Sequence, residues 1–382
     1  MLQHSQRTRR EPRQVFRLPF HQVSGHPVTL LSRPGIGSTI GPVAFLGAVL
    51  GLLALGLAYQ WSGQRRDRRF FPPPGQLVDV GGYRVHVNCS GEGGPVVLLE
   101  AGIAASSLSW AVVQPQIAAF ARVCAYDRAG LAWSDAPSQP RTLDRIVDEL
   151  AAVLAHVGGR GPFVLVGHSF GSFVVRTYAA RHSLSVAGIV LVDPPTEWLT
   201  MTPERARLLR GGRFFSSIGR WLAHVGVVRA CLALLVGGMP GAPRRFVKIF
   251  GPTAAQNLER FVLEVRKLPP DVHPVVRAIW CQPKCFRSMR DHLEAFEREG
   301  TSLARHAPPP DVAVVVISSG NQPPEELTVH RTLAESSSRG RHITARRSTH
   351  WIQFDEPEVI VAAVRELVEL ARAAERQGAG RV

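Results

Sequence analysis

The sequence predicts an α/β fold in which a mainly parallel central sheet is flanked by helices on both faces. Three observations lead there. From residue 76 onward, short apolar runs of strand character alternate with amphipathic helical stretches, the pattern of a parallel sheet built from strand–helix units. One such run, Pro162-Phe163-Val164-Leu165-Val166, passes through Gly167-His168-Ser169-Phe170-Gly171 directly into a helix-like stretch. The alternation breaks over residues 194–310 and then resumes, so a helical segment is expected to be inserted at one end of the sheet.

Taken from the N-terminus, residues 1–39 mix Arg, Pro and His without periodicity and read as a basic arm. Between Arg33 and Arg65 lie 31 residues without a charge, and residues 40–59 are long and apolar enough to cross about 30 Å of hydrocarbon as one helix. Gly56-Leu57-Ala58 resembles a cleavage site, but the apolar run exceeds a signal peptide's and a long arm precedes it, so an uncleaved membrane anchor is expected. Residues 60–75, basic and ending in Phe71-Pro72-Pro73-Pro74-Gly75, read as a connector. Arg65, Arg66, Arg68 and Arg69 crowd the C-terminal flank and favour a cytoplasmic catalytic domain, while five arginines between Arg7 and Arg17 pull the other way from farther off.

The bulk numbers agree with an anchored globular domain. The chain has 382 residues, of which 45% are hydrophobic, ample for a sizeable core. Its formal charge is +15, yet only three of its 45 basic residues are lysines, and a net +8 falls within residues 1–75. With no recognised nucleic-acid module beside it, that excess points to an anionic membrane surface and away from nucleic acid. Cys89, Cys124, Cys231, Cys281 and Cys285 are odd in number and show no metal-like clustering with His. No disulfide framework and no metal are expected from them, although Cys281 and Cys285 are spaced to share one helix face.

The domain, residues 76–193 and 311–382, opens with Leu77-Val78-Asp79-Val80 and Tyr83-Arg84-Val85-His86-Val87 about a Gly81-Gly82 turn, which reads as a hairpin. Val96-Val97-Leu98-Leu99, a helix over 108–120 and the strand Val123-Cys124-Ala125-Tyr126 follow. Thr142 caps an amphipathic helix reaching residue 156, with Ile146, Leu150, Val153 and Leu154 on one face. After the Ser169 segment comes the strand Gly188-Ile189-Val190-Leu191-Val192-Asp193. The insertion, residues 194–310, holds helix candidates at 203–209, 220–235, 255–265 and 289–298. Alternation resumes with Val312-Ala313-Val314-Val315-Val316-Ile317, a helix over 325–336, the strand His342-Ile343-Thr344-Ala345 and a helix over 356–373.

Strand, tight turn and helix around Ser169 are the setting of a serine nucleophile elbow, whose strained turn needs nearly side-chain-free neighbours; both are glycine here. Together with Leu98-Leu99-Glu100-Ala101-Gly102, the stretch from Tyr126-Asp127-Arg128 to Trp133-Ser134-Asp135, and Ser348-Thr349-His350-Trp351-Ile352-Gln353, it makes residues 76–373 resemble the α/β-hydrolase fold family with a helical cap inserted after Asp193. The resemblance implies Ser169 as nucleophile and His350 as its base. The acid is open: most relatives carry an Asp where this chain reads Ser318-Ser319-Gly320-Asn321-Gln322-Pro323-Pro324-Glu325-Glu326, whereas some capped relatives use the position of Asp193. Asp193, Glu325 and Glu326 are therefore the candidates. The oxyanion donors implied are the backbone N–H groups of Phe170 and Ile103, although many relatives have His-Gly where Ala101-Gly102 stands. Asp127, Arg128 and Gly130 match a recurrent turn with a structural role, and Trp110, Trp133 and His168 are either pocket or core residues.

The expected activity is a serine hydrolase using a Ser-His-acid triad and an acyl-enzyme, acting on a small acyl substrate without metal or organic cofactor. A serine nucleophile disfavours the dehalogenase and epoxide hydrolase chemistry of similar capped folds. Carboxylic esters lead, lipophilic ones by virtue of the apolar stretch 221–236, with thioester, lactone, amide and C–C cleavage behind. The rival from another class is a catalytically silent, membrane-tethered binding or scaffold protein.

Overall fold

The computed structural model describes residues 37–195, 200–236, 262–304 and 311–379. The expected arm up to residue 36, and most of the helix expected at 255–265, lie outside them. The chain divides into two units, Met1–Leu50 and Gly51–Val382.

Helix α1 runs over Gly37–Phe70, 34 residues, and is long and apolar enough to cross a membrane. It corrects the expected boundary at residue 59, because most of the 60–75 connector is helical. Gln64 to Arg69 are good helix formers, and the helix ends only where Pro72, Pro73 and Pro74 deny it further N–H donors.

In the second unit eight strands form one sheet: β1 Gln76–Asp79, β2 Arg84–Ser90, β3 Val96–Glu100, β4 Val123–Tyr126, β5 Phe163–His168, β6 Val186–Val192, β7 Ala313–Ser319 and β8 Gly340–Ala345. Their order is β1-β2-β4-β3-β5-β6-β7-β8, antiparallel only where β2 meets β1 and β4. The inner strands β3 to β7 are apolar over most of their length because both faces are covered, with polar residues only at the C-terminal ends of β3, β5 and β7. Leu98, Leu165, Leu191 and Val316 point to one face, packed with α3 (Leu143–Gly158) and α4 (Phe170–Arg181). Val97, Val164, Val166 and Val190 point to the other, beneath α2 (Val113–Ala118) and the C-terminal helix Pro357–Ala379. Truncating a side chain as enclosed as Leu165 to Ala costs about 2–5 kcal/mol. The helix expected over 108–120 is instead a 3-10 turn, Ser107–Trp110, followed by α2.

Between β6 and β7 the described helices are α5 (Pro203–His224), α6 (Val227–Val236), α7 (His273–Trp280) and α8 (Pro283–Ala304). The helix expected over 220–235 is broken by a 92° bend between α5 and α6. Gly226 turns the chain there with φ +74, and a Cβ on it would meet the Gly56 carbonyl oxygen and the Tyr59 ring at 2.9 Å. The corner thus fits only a glycine. Beside it Arg229 donates to Gln60 Oε1 at 3.0 Å and pairs with Asp67 at 2.6 Å, while Gln60 Nε2 donates to the Cys281 carbonyl at 2.7 Å.

The cysteine expectations need two corrections. Cys89 and Cys124 face each other in register across β2 and β4, 4.0 Å apart at Cα, and form a disulfide. Their separation of 35 residues concealed a neighbourhood that only strand order creates. Cys281 and Cys285 are both buried and free, but Cys281 closes α7 and Cys285 lies in α8, so they do not share one helix face.

Candidate active site

Ser169 stands between β5 and α4 with φ 50 and ψ −121, a left-handed conformation that a side chain tolerates only when its surroundings enforce it. Enforcement is visible on both sides. The Ser169 N–H donates to the Val192 carbonyl at 2.9 Å. Gly171 passes so close to β3 that a Cβ there would lie 2.6 Å from the Glu100 carbonyl oxygen and 2.8 Å from that of Ala101. Phe170 opens α4, so the helix leaves its N–H without an internal acceptor.

One strand over, Asp193 follows β6, also in a left-handed conformation at φ 44, with its N–H donating to the Ile317 carbonyl at 2.7 Å. Its carboxylate has no exposed surface and accepts from His350 Nδ1 at 2.7 Å. Ser319 N–H, Ser319 Oγ and Gln322 Nε2 donate to it at 2.9, 3.2 and 3.0 Å. Burial alone would raise its pKa; the hydrogen bond and charge of His350, with Ser319 and Gln322, outweigh burial and hold it below the ordinary carboxylate value. Asp193 is therefore an anion at neutral pH, fixed against the imidazole.

His350 is held from its backbone as well. His168 Nε2 donates to the His350 carbonyl at 2.8 Å, and Gln353 Nε2 donates to His168 Nδ1 at 3.3 Å, which sets the His168 tautomer. The two imidazole centroids lie 4.8 Å apart. Burial, and then the charge of His350, push His168 down to about 3, so it stays neutral. The residue preceding Ser169 thereby links the elbow to the loop that carries His350.

The loop after β3, which carries Ile103, is clamped by a buried ionic group. Arg128 donates to the carbonyls of Ala101, at 2.6 Å, and Gly102, and pairs with Glu100. Tyr126 donates its hydroxyl to the same Glu100. Burial raises Glu100 and outweighs Arg128 beside it.

The remaining candidates fall elsewhere. Glu325, the alternative acid, is exposed at the start of the helix Pro324–Glu335, whereas Asp193 meets His350. Asp127 accepts from Ser107 N–H at 2.7 Å and from His86 at 2.8 Å, tying loops to the sheet edge as expected. Trp110 is a core residue, and Trp133 donates to the Phe71 carbonyl at 3.0 Å. Among the described residues no group of three or more His, Cys, Asp or Glu could hold a metal ion. Sequence reasoning missed Glu100, Ser319 and Gln322. Glu100, a carboxylate closing an apolar strand, was the one legible signal, since a buried acid demands a cation.

Residues 95–218 match the alpha/beta hydrolase fold family. A protein of Gibberella zeae named an AB hydrolase superfamily protein is 27% identical over 304 residues, covering 73% of this chain and 87% of that one. A protein of Hormonema carpetanum named a probable transporter is 35% identical over 130 residues, 32% of this chain, and the match spans only 19% of that protein's length. The solved structure of the epoxide hydrolase CorEH without ligand is similar in fold, with a TM-score of 0.56 at 19% identity over 76% of this chain and 97% of that one. By its sheet topology, the left-handed turn at Ser169 and this matched segment, the chain has the α/β-hydrolase fold.

Proposed function

We propose that the chain is a serine hydrolase of carboxylic esters, with Ser169 as nucleophile, His350 as general base and acid, and Asp193 as the orienting carboxylate. The observation that carries the reading is the 2.7 Å bond from His350 Nδ1 to a buried Asp193, one strand away from a serine in a left-handed turn. A serine hydroxyl is a weak nucleophile until a base takes its proton. With Nδ1–H committed to Asp193, the His350 lone pair is on Nε2, the nitrogen to which we assign the Ser169 proton.

Ser169 Oγ attacks the acyl carbon as its proton passes to His350 Nε2. The carbonyl oxygen becomes an oxyanion, for which the N–H groups of Phe170 and Ile103 are the donors; one such donor is worth about 3–4 kcal/mol of barrier. Collapse expels the alcohol, which takes the proton from Nε2, and leaves the acyl group on Ser169. Water then surrenders a proton to Nε2, attacks the acyl carbon, and releases the acid as the proton returns to Ser169 Oγ. Asp193 stays ionised throughout and stabilises the imidazolium. The cycle calls on no metal or organic cofactor.

Lipophilic esters are the substrate class we assign, from the apolar helix α6 beside the helix that is able to cross a membrane. The test uses the full chain in detergent micelles with a fluorophosphonate probe. Labelling of the wild type and none of Ser169→Ala supports the enzyme; an unlabelled, folded wild type refutes it and leaves a binding or scaffold protein. A preference for p-nitrophenyl acetate over longer acyl chains refutes the lipophilic part alone.

A further inference from the structure

We propose that the cavity beside the C-terminal half of α1 binds one anionic membrane phospholipid. The inference rests on α1 being a membrane span and does not depend on the hydrolase reading. The cavity has a volume of about 740 Å3 and is walled by one face of α1, from Leu57 through Trp61 and Gln64 to Arg68, and on other sides by Arg84 and Lys284. Neither Ser169 nor His350 lines it.

Its wall is graded along the helix. At 1.5 Å of rise per residue, Gln64 stands about 7 Å and Arg68 about 13 Å beyond Tyr59, where the uninterrupted apolar run ends. The headgroup layer of one leaflet is about 5–7 Å thick. Leu57 and Trp61, 50% and 58% exposed, therefore lie at the depth of the upper acyl chains and glycerol. Arg68 lies about 6–8 Å beyond the headgroup layer, and its flexible stem reaches back towards the phosphates.

Among the lining residues Arg68, Arg84 and Lys284 stand against Asp67 and Asp135, and two of these three cations have no carboxylate partner. Asp135 is paired with Arg84 at 2.9 Å, and Asp67 with Arg229 at 2.6 Å. Lys284 Nζ donates to the Ser134 carbonyl at 2.7 Å. Among the described residues neither Lys284 nor Arg68 has a carboxylate within ion-pair distance. Burial chiefly pushes Lys284 below its ordinary value; Cys285, Asp127 and Asp135 oppose it, and Arg68 adds a smaller repulsion. A phosphate between the two cations removes that repulsion while its acyl chains cover Leu57 and Trp61. A soluble anion satisfies one end of the cavity only.

The experiment titrates the full chain in detergent micelles with phosphatidylglycerol or phosphatidylcholine and counts bound lipids by native mass spectrometry. One phosphatidylglycerol is expected to bind about tenfold more tightly than phosphatidylcholine, and Arg68→Gln to lose about that factor. Arg68 is exposed, so the variant keeps its fold. Arg66→Gln removes the same charge from residues outside the cavity wall and is expected to bind as the wild type does. Equal affinity for the two lipids, equal loss in Arg66→Gln, or displacement by millimolar inorganic phosphate overturns the site. Flotation with phosphatidylcholine vesicles reads the span separately: protein that floats but binds the two lipids equally in micelles refutes the lipid site alone, and protein that does not float refutes both. Fluorophosphonate labelling is untouched by either result.

Discussion

His168 makes acid stability a measurement of one buried imidazole. Its ring is 1% exposed, and burial with the neighbouring His350 charge pushes it from 6.5 down to about 3. Between those values the unfolded chain holds a proton there that the folded chain does not. Stability is then complete above about pH 6.5 and falls as pH drops towards 3. At pH 5 the unfolded group, with a pKa near 6.5, gains about 2 kcal/mol relative to the native one. For a domain of this size that lowers Tm by about 3 °C. The assay is thermal unfolding of the full chain in micelles at pH 7.5 and 5, for wild type and His168→Asn. His292 and His330, also buried and pushed down, lose stability in both proteins, so the difference isolates His168. Equal Tm losses in the two proteins would refute a neutral, buried His168.

Asp193→Asn is expected to lower kcat on p-nitrophenyl esters by about 10³–10⁴-fold, and Glu325→Gln to change it less than about twofold, because Glu325 is exposed and away from His350. The reverse ranking would move the acid to the loop after β7. Arg128→Lys loses the paired donors to Ala101 and Gly102, so steady-state kinetics should show kcat reduced by about 10–100-fold with KM nearly unchanged. A change in KM alone would deny that Arg128 steadies the oxyanion loop. Gly171→Ala drives a Cβ into two backbone carbonyls and should cost about 3 kcal/mol or more, read as a Tm drop of several degrees; an unchanged Tm would mean that β3 and the elbow part easily.

The features legible in the sequence were local ones. A strand running through Gly-x-Ser-x-Gly into a helix is written in consecutive residues, as are the long apolar run of α1 and the Thr142 cap, whose side chain accepts from the Arg145 N–H. What escaped depends on residues far apart in sequence. Asp193 and Ser319 are 126 positions apart, yet β6 and β7 are neighbours, so their ends meet. The loop that lacks the expected aspartate contributes instead the donors that hold Asp193. Arg128 belonged to a recognisable turn, but its reach to the carbonyls beside Ile103 depends on β3 lying next to β4. The α1 boundary was misplaced for a different reason: charge ends a membrane run without ending a helix.

The Cys89–Cys124 bridge has a consequence for where in the cell the domain works. A disulfide between sheet strands persists in an oxidising compartment, whereas cytosolic reductants keep such pairs as thiols. If α1 spans a membrane, we infer from the bridge that the domain lies on its outer side, against the side that Arg65, Arg66, Arg68 and Arg69 favour. Alkylation of the protein in intact cells before lysis reads the answer from these two residues: blocked thiols place the domain inside, and an unlabelled pair places it outside.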